Sequence, residues 1–345
     1  MAQQKASFVV IMAEEQKTRK DSSFFLSDIQ CIPNGDRDLP PEYHAYRKKW
    51  NEVNEKLIVT DYPMHMDVEL NMTCNYACVM CPRTAMNIKN EGQVMEPELY
   101  KKIIDEGKRE GLLSVDFGDL GEALLRPDLV ELIRYATDAG IPDRILHTNA
   151  SLLTEEMSQR LLDAGITKFT VSLDAFSKES YDKIRIGGDY DKVVANVLKF
   201  LELKKKRGLS YPIVRLSFIR MSLNEHEVEP FVNFWKDKVN HIAIQEYINP
   251  GKLQDNSLKS SSSEFKEKPK KFVCTQLFQR LVIRWDGTIM PCCVDYENAL
   301  ALGNAHTMTL KEAWRSKKLQ ALRDIHLAGK FETIPACKLC IESKL

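Results

Sequence analysis

Three cysteines crowd into the stretch Cys-Asn-Tyr-Ala-Cys-Val-Met-Cys, at Cys74, Cys78 and Cys81. The spacing C-x3-C-x2-C offers three soft thiolate ligands from one loop. Such a set suits a cubane iron–sulfur cluster whose fourth iron has no protein ligand. An iron left open can bind a second molecule and act on it, as the open position of a catalytic metal does. A structural zinc site would need a fourth Cys or His nearby, and none lies between Arg83 and Gly121. Three buried free cysteines would make poor use of so short a loop.

A second group of thiols stands near the C-terminus: Cys274, Cys292, Cys293, Cys337 and Cys340. The run from Trp285 to Cys292 reads as a hairpin with an Asp286-Gly287 turn that delivers Cys292 from its return strand. Cys337 and Cys340 form a C-x2-C knuckle, and a helix predicted over 310–325 brings the two ends together. Cys274, Cys292, Cys337 and Cys340 suffice to close a site. Four thiolates describe a zinc ribbon as well as a cluster, and spacing alone does not separate them. Cys31 and Cys293 are left over. Cys293 reads either as a small buried residue beside a ligand or as a thiol that returns a hydrogen atom to a substrate radical.

The elements that must position these residues alternate from residue 66 onward. Strands are predicted over 66–70, 113–117, 144–147, 168–173, 213–218 and 241–246. Amphipathic helices fall between them, over 97–109, 127–139, 154–164, 190–206 and 225–238. In the 190–206 helix, Val193, Val194, Val197, Leu198 and Leu201 recur at core-facing spacing. Repeated βα units predict a parallel sheet wrapped by helices, two units short of a closed eight-fold barrel. Before them, residues 41–56 carry Tyr43, Tyr46, Trp50 and Val53 at helical spacing and read as a packing extension. The Lys- and Ser-rich stretch 251–271 reads as an exposed linker.

Bulk properties narrow the function. Lys plus Arg equals Asp plus Glu, 49 each over 345 residues, which argues against a broad footprint for nucleic acid. No apolar run approaches the roughly 18 residues that span a bilayer. Residues 7–12 are apolar but too few for a signal peptide and are followed by Glu14 and Glu15. A cytoplasmic location is expected, where nine cysteines read as metal ligands rather than disulfides.

Cys74, Cys78 and Cys81 after a first strand resemble the motif of the radical S-adenosylmethionine (SAM) enzymes. The resemblance implies that the open iron binds the amino and carboxylate groups of SAM. Cleavage of SAM on the reduced cluster then yields a 5′-deoxyadenosyl radical that abstracts a substrate hydrogen. The family usually has an aromatic residue before the third cysteine; here Met80 fills that apolar slot. Gly121-Glu122, closing the second strand, resembles the Gly-Glu motif that holds the SAM amino group. A carboxylate accepts from an ammonium, and glycine lets the backbone approach. Thr148-Asn149-Ala150 and Ser172-Leu173-Asp174 resemble strand ends lining the SAM and substrate cavity, with Ala150 and Ala175 where glycine is common. Asn149, Ser172 and Asp174 are thus expected near SAM, with helix capping by Ser172 or Asp174 as the plainer alternative. Arg185 is expected on the SAM carboxylate or in a surface salt bridge. Arg220, Asn224, Gln245 and Tyr247 fall where substrate contacts belong, and His147 and His226 are candidate proton acceptors.

Cys274, Gly287, Cys292 and the Cys337-x2-Cys340 knuckle resemble the SPASM/twitch extension of the same enzymes. The intervals of 18 and 45 residues between Cys274, Cys292 and Cys337 suit the compact twitch form, which carries one auxiliary [4Fe–4S] cluster. The resemblance covers about residues 66–345. It implies an α/β fold class: a partial (β/α)6 TIM-like barrel over 61–250, an N-terminal extension over 1–60, a linker over 251–272 and a small iron–sulfur domain over 273–345. The compact form resembles a radical SAM dehydrogenase of an aminocyclitol, so oxidation of a carbinol in a sugar, aminocyclitol or related small metabolite is the expected activity. Epimerisation of a carbohydrate and peptide maturation are the alternatives, and a structural zinc protein is the non-enzyme reading. An electron donor such as flavodoxin or ferredoxin is the expected partner, with no nucleic acid and no membrane.

Overall fold

In a computed structural model of the chain, residues 26–31, 39–249, 255–261 and 272–343 are described. Ten strands among them form one sheet: β1 (Leu26–Gln30), β2 (His65–Val68), β3 (Ser114–Asp116), β4 (Asp143–Thr148), β5 (Lys168–Ser172), β6 (Ile213–Arg220), β7 (His241–Glu246), β8 (Arg280–Ile283), β9 (Thr288–Met290) and β10 (Gly303–Asn304). Their spatial order is 1-7-6-5-4-3-2-8-9-10, and the sheet does not close. Strands β2 to β7 are parallel neighbours in chain order. They are the six strands expected, and their helical crossovers are what parallel pairing demands.

Helix boundaries follow local chemistry. Thr154, Ser177 and Asp189 cap the helices Glu155–Ala164, Lys178–Ile184 and Tyr190–Lys206 by accepting a backbone N–H from the first turn. Gly111 and Gly165 end two helices in the left-handed region. The helix predicted over 310–325 is two helices, Leu310–Trp314 and Lys317–Leu327, because Ser316 caps the second. The 225–238 helix likewise starts as a 3-10 turn, Glu225–Glu227, before the α-helix Val228–Trp235.

Alternation along the strands sorts the side chains. Met66, Val68, Val115, Leu146, Phe169, Val171, Val214, Leu216 and Phe218 are buried in the core. The intervening residues share the other, inner face, where Asp67 pairs in register with Asp116, His147 with Thr170 and Thr170 with Arg215. That face is charged. The helix Pro41–Lys56 buries Tyr43, Tyr46, Trp50 and Val53. Trp50 meets the His65 ring edge-on at 5.9 Å, at the start of β2.

The sheet crosses the boundaries expected between the parts of the chain. β1, from the N-terminal extension, pairs antiparallel with β7. β8, from beyond the linker, pairs parallel with β2. The hairpin of β8 and β9 has a three-residue loop: Gly287 N–H donates to Arg284 C=O, and Arg284 N–H to Thr288 C=O. Gly287, at φ +84°, supplies the left-handed residue of that loop. Most of the predicted linker lies outside the described residues. Its piece 255–261 is docked, with Ser222 N–H donating to Leu258 C=O and Ser261 N–H donating to the Glu225 carboxylate.

Candidate active site and cysteine sets

The loop after β2 is clamped from several sides. Asn90 holds Cys74 at both ends, accepting from its N–H at 3.2 Å and donating to its C=O at 3.0 Å. Arg83 Nε donates to Met72 C=O at 2.6 Å. Ala77 and Val79 N–H donate to Ile186 and Ile184 C=O, so the segment bearing Arg185 lies alongside the cysteine loop. Gly188 makes that approach feasible, since a Cβ there would come within 2.8 Å of the Tyr76 ring. Cys78 is buried, and Cys74, Cys78 and Cys81 lie within each other's electrostatic field. Tyr76 N–H donates to Cys74 Sγ at 3.5 Å and Arg185 Nη1 to Cys78 Sγ at 3.6 Å. A set of three thiols with N–H donors already aimed at two of them fits a thiolate-held cluster.

Arg185 is therefore no surface residue. It is buried, and its other Nη pairs with Asp174. Asp174 also accepts from Ile219 N–H at 2.7 Å on β6, so it is not a helix cap; Ser177 has that role. Glu122 is buried as well. Its Oε1 accepts from Thr148 Oγ1 at 2.6 Å and Leu124 N–H at 3.1 Å, and its Oε2 from Asn149 N–H at 2.7 Å. The carboxylate thus ties the second strand end to the third and keeps acceptor capacity on Oε2. Gly121 meets the backbone opposite, where a Cβ would stand 2.1 Å from Asn71 C=O. Asn149 Nδ2 donates to Asn75 Oδ1 at 3.0 Å, joining that strand end to the cysteine loop. Met80 is buried and Ser172 half-buried. Burial pushes the Glu122 carboxyl up, as it does that of Asp174 despite Arg185.

Besides His147, the inner face carries residues that motif reading passed over. His65 Nε2 lies 2.8 Å from Asp67, and Arg280 Nη1 lies 3.0 Å from the same carboxylate. Burial alone would raise the Asp67 carboxyl, yet Arg280 and His65 hold it below the usual range. His147 Nε2 lies 2.9 Å from Asp116 Oδ2, and its ring is 45% exposed. Arg284 pairs with Asp119 and lies 3.5 Å from Glu69. Burial pushes the Asp119 carboxyl up to about 8 although Arg284 opposes it. Strand alternation in His65-x-Asp67-x-Glu69, Ser114-x-Asp116 and Arg280-x-Val282-x-Arg284 is the signal that would have found this face. Asn224 is spent internally, donating to Asp174 C=O at 2.7 Å and Ile219 C=O at 2.9 Å. Arg220 pairs with Glu246, Ser217 Oγ donates to Gln245 at 3.0 Å, and Tyr247 donates to Asp255 C=O at 3.1 Å. His226 is exposed.

The second thiol set lies toward the start of β8: Cys274 precedes that strand, and Cys292 follows β9, which runs back antiparallel with Met290 opposite Val282. Cys292 lies in the electrostatic field of Cys274, Cys293 and Cys340, and Cys337 in that of Cys274 and Cys340. The four predicted ligands thus converge, and their donor chemistry fits a closed cluster site. Tyr296 is within electrostatic reach of Cys81 and of Cys292, so it relates the two sets. Cys293 faces Arg280, Asp67 and Asp119, and its S–H donates to Gln276 Oε1 at 3.6 Å.

Burial pushes the Cys78 thiol up to about 11 and the Cys337 thiol up to about 12. Protons therefore compete with iron for both sets. Iron uptake by the apo chain should rise between pH 7 and pH 9, by up to about tenfold per pH unit for each proton released. The raised thiol values also favour the apo fold below about pH 8.5, and that contribution is lost as pH climbs through the folded values. The apo melting temperature should accordingly fall above pH 9. Iron uptake that is flat or falling over pH 7–9 would count against thiolate ligation.

Two sets of converging thiols beside an open parallel sheet with a charged inner face mark an iron–sulfur protein class. The radical SAM superfamily model matches residues 68–233, and that of SPASM, an iron–sulfur cluster-binding domain, matches 274–341. The chain belongs to the radical SAM superfamily and carries a C-terminal SPASM domain, and these domains imply SAM and [4Fe–4S] clusters. A probable GTP 3′,8-cyclase of Methanocaldococcus jannaschii is 30% identical over 181 residues, 52% of this chain and 58% of that protein. An AdoMet-dependent heme synthase of Methanosarcina barkeri is 34% identical over 146 residues, 41% and 40% of the two chains. The chain thus spans 58% and 40% of the lengths of these two curated relatives. Among solved structures, BtrN in complex with AdoMet and 2-DOIA aligns with TM-score 0.54 at 20% identity, over 81% of this chain and 93% of that one. Streptococcus suis SuiB bound to precursor peptide SuiA aligns with TM-score 0.63 at 16% identity, over 80% and 69%. At such identities the likeness is one of fold. Among the described residues no helix is long and apolar enough to cross a membrane.

Proposed function

We propose that the chain is a radical SAM dehydrogenase that oxidises a carbinol of a sugar, aminocyclitol or related polar metabolite held on the inner face of the sheet. One observation carries this reading. Asp116 Oδ1 and Thr170 Oγ1 are buried there with no hydrogen-bond partner, Asp116 in register with Asp67 and Thr170 between His147 and Arg215. Buried polar atoms are rarely left unpaired, so this surface suits a small ligand dense in hydroxyl or amino groups.

In this reading Cys74, Cys78 and Cys81 hold the SAM-binding cluster, and Cys274, Cys292, Cys337 and Cys340 hold one auxiliary cluster. When bound, these groups supply hydrogen-atom abstraction and a one-electron sink. Met80, Gly121, Glu122, Asn149, Ser172 and Asp174 form the SAM side of the cavity, with Glu122 Oε2 accepting from the SAM ammonium. Arg185 braces Cys78 against Asp174. Flavodoxin or ferredoxin is the class of protein that delivers the starting electron.

Oxidation of an alcohol to a ketone removes a hydrogen atom from carbon, a proton from oxygen and one electron. The proton falls to the protein. His147, exposed beside the Asp116 carboxylate 2.9 Å from its Nε2, is the side chain placed to take the hydroxyl proton. His147→Gln should lower ketone formation by about 10²–10⁴-fold while 5′-deoxyadenosine is still released. Anaerobic assays with aminocyclitols and sugars, read by mass spectrometry for a product two hydrogens lighter, check this. Unchanged ketone formation in the variant would remove His147 from the mechanism. Modification of a peptide, with no carbinol oxidised, would sink the dehydrogenase reading.

Cys293 favours a second reading, epimerisation. It faces the charged inner surface, and burial pushes its thiol up to about 12, which keeps the hydrogen on sulfur. The same assays run in D2O separate the two: an epimerised product carries one solvent deuterium, and a ketone carries none at the reacting carbon.

A further inference from the structure

His326 lies on the helix Lys317–Leu327, and only 1% of it is exposed. Its ring stacks on Phe331 at 6.4 Å and meets Phe272 edge-on at 6.1 Å, so its plane is held from two sides. Both ring nitrogens face cysteines of the C-terminal set. The backbone N–H of Cys274 points at Nδ1 from 3.3 Å. Nε2 lies 3.4 Å from Cys337 Sγ.

These two contacts determine the tautomer. A backbone N–H can only donate, so Nδ1 must be the acceptor and carries no proton. An imidazole in that state holds its hydrogen on Nε2. Nε2–H is therefore directed at the sulfur of Cys337. One ring thus links two of the four cysteines, taking a hydrogen bond from the backbone of one and giving one to the sulfur of the other.

We infer that His326 sets the reduction potential of the auxiliary cluster through this Nε2–H···Sγ bond. A hydrogen bond to a ligand sulfur draws electron density from it and stabilises the reduced, more negative cluster, which raises the potential. A raised potential makes that cluster the better acceptor for an electron leaving a strongly reducing substrate radical. His326 is a positioning residue here, since it acts through Cys337. The inference rests on Cys337 being a cluster ligand.

Two measurements test it. The first is nitrogen-15 NMR of the imidazoles in the iron-free chain, assigned through His326→Leu. The Nε2–H tautomer is expected, and an Nδ1–H or doubly protonated ring would overturn the inference. The second is an EPR-monitored redox titration of the reconstituted full chain. His326→Leu should shift the auxiliary-cluster midpoint downward by about 59 mV, a tenfold change in its one-electron equilibrium. The midpoint of the SAM-binding cluster and the iron and sulfide contents should stay unchanged. His326→Gln, which can place a donor near the same point, should recover part of the shift. An unshifted midpoint in His326→Leu would overturn the inference. Loss of the auxiliary iron in both variants would do so too, making His326 a ligand or a fold-holding residue. A second cluster missing from the unaltered chain would remove the ligand reading of Cys337 and this inference with it, a failure told apart by the iron count.

Discussion

Cys78→Ala should reduce 5′-deoxyadenosine formation to background while leaving the C-terminal cluster in place. Cys78 is the buried member of the first thiol set, and it is the one reached by Arg185. Its loss leaves two thiols on a loop that must hold three corners of a cubane, with no other Cys or His from Arg83 to Gly121 to substitute. Iron content should fall by about four atoms per chain, from about eight. Fold loss is a smaller concern at this site. The loop is clamped by Asn90, Arg83 and the backbone bonds of Ala77 and Val79, none of which uses the sulfur. Iron counting and a dithionite-driven assay for deoxyadenosine check the result. Cleavage of SAM at the unaltered rate would end the radical reading of this motif.

The largest expected effect on stability is at Asp174. Its side chain is fully buried, pairs with buried Arg185 and accepts from Ile219 N–H. Burial pushes its carboxyl up even beside Arg185. Arg185 for its part is held charged by Asp174, so the damage comes from stranding one partner of the buried pair. Asp174→Ala leaves a buried guanidinium without its counter-charge and a strand N–H without its acceptor. A loss of about 3–5 kcal/mol follows, a drop in melting temperature on the order of 5–10 °C. Adding Arg185→Met removes the stranded charge and should restore part of the loss. Denaturant unfolding of the iron-free chain reads this without interference from the cofactors. A loss under about 1 kcal/mol would mean that water reaches Arg185.

The same pair shows why strand-end motifs are hard to read in full. Ser172-Leu173-Asp174 and Arg185 were visible as residues suited to a SAM cavity. Their partners were not, because Asp174 meets Ile219 on β6 and Arg185 meets a cysteine on a loop 107 residues earlier. Glu122 is similar. Its Gly-Glu context was legible, yet its hydrogen bonds run to Thr148 and Asn149 on the next strand end.

The sequence by itself determined what depends on short spacing. Three thiols within one turn-rich loop, a C-x2-C knuckle, six alternating βα units and the capping residues of their helices are encoded within a few residues of where they act. Only the tertiary structure decided what depends on pairing across the chain. β8 lies beside β2, with Leu281 in register with Met66, and this pairing joins the segment that carries the C-terminal thiols to the sheet that carries the Cys81 loop. The charged inner face exists because period-two alternation on separate strands is brought into one register. Nothing in any single strand reports its neighbour. His326 completes the contrast: its tautomer is dictated by a backbone N–H 52 residues away, a geometry that no local pattern contains.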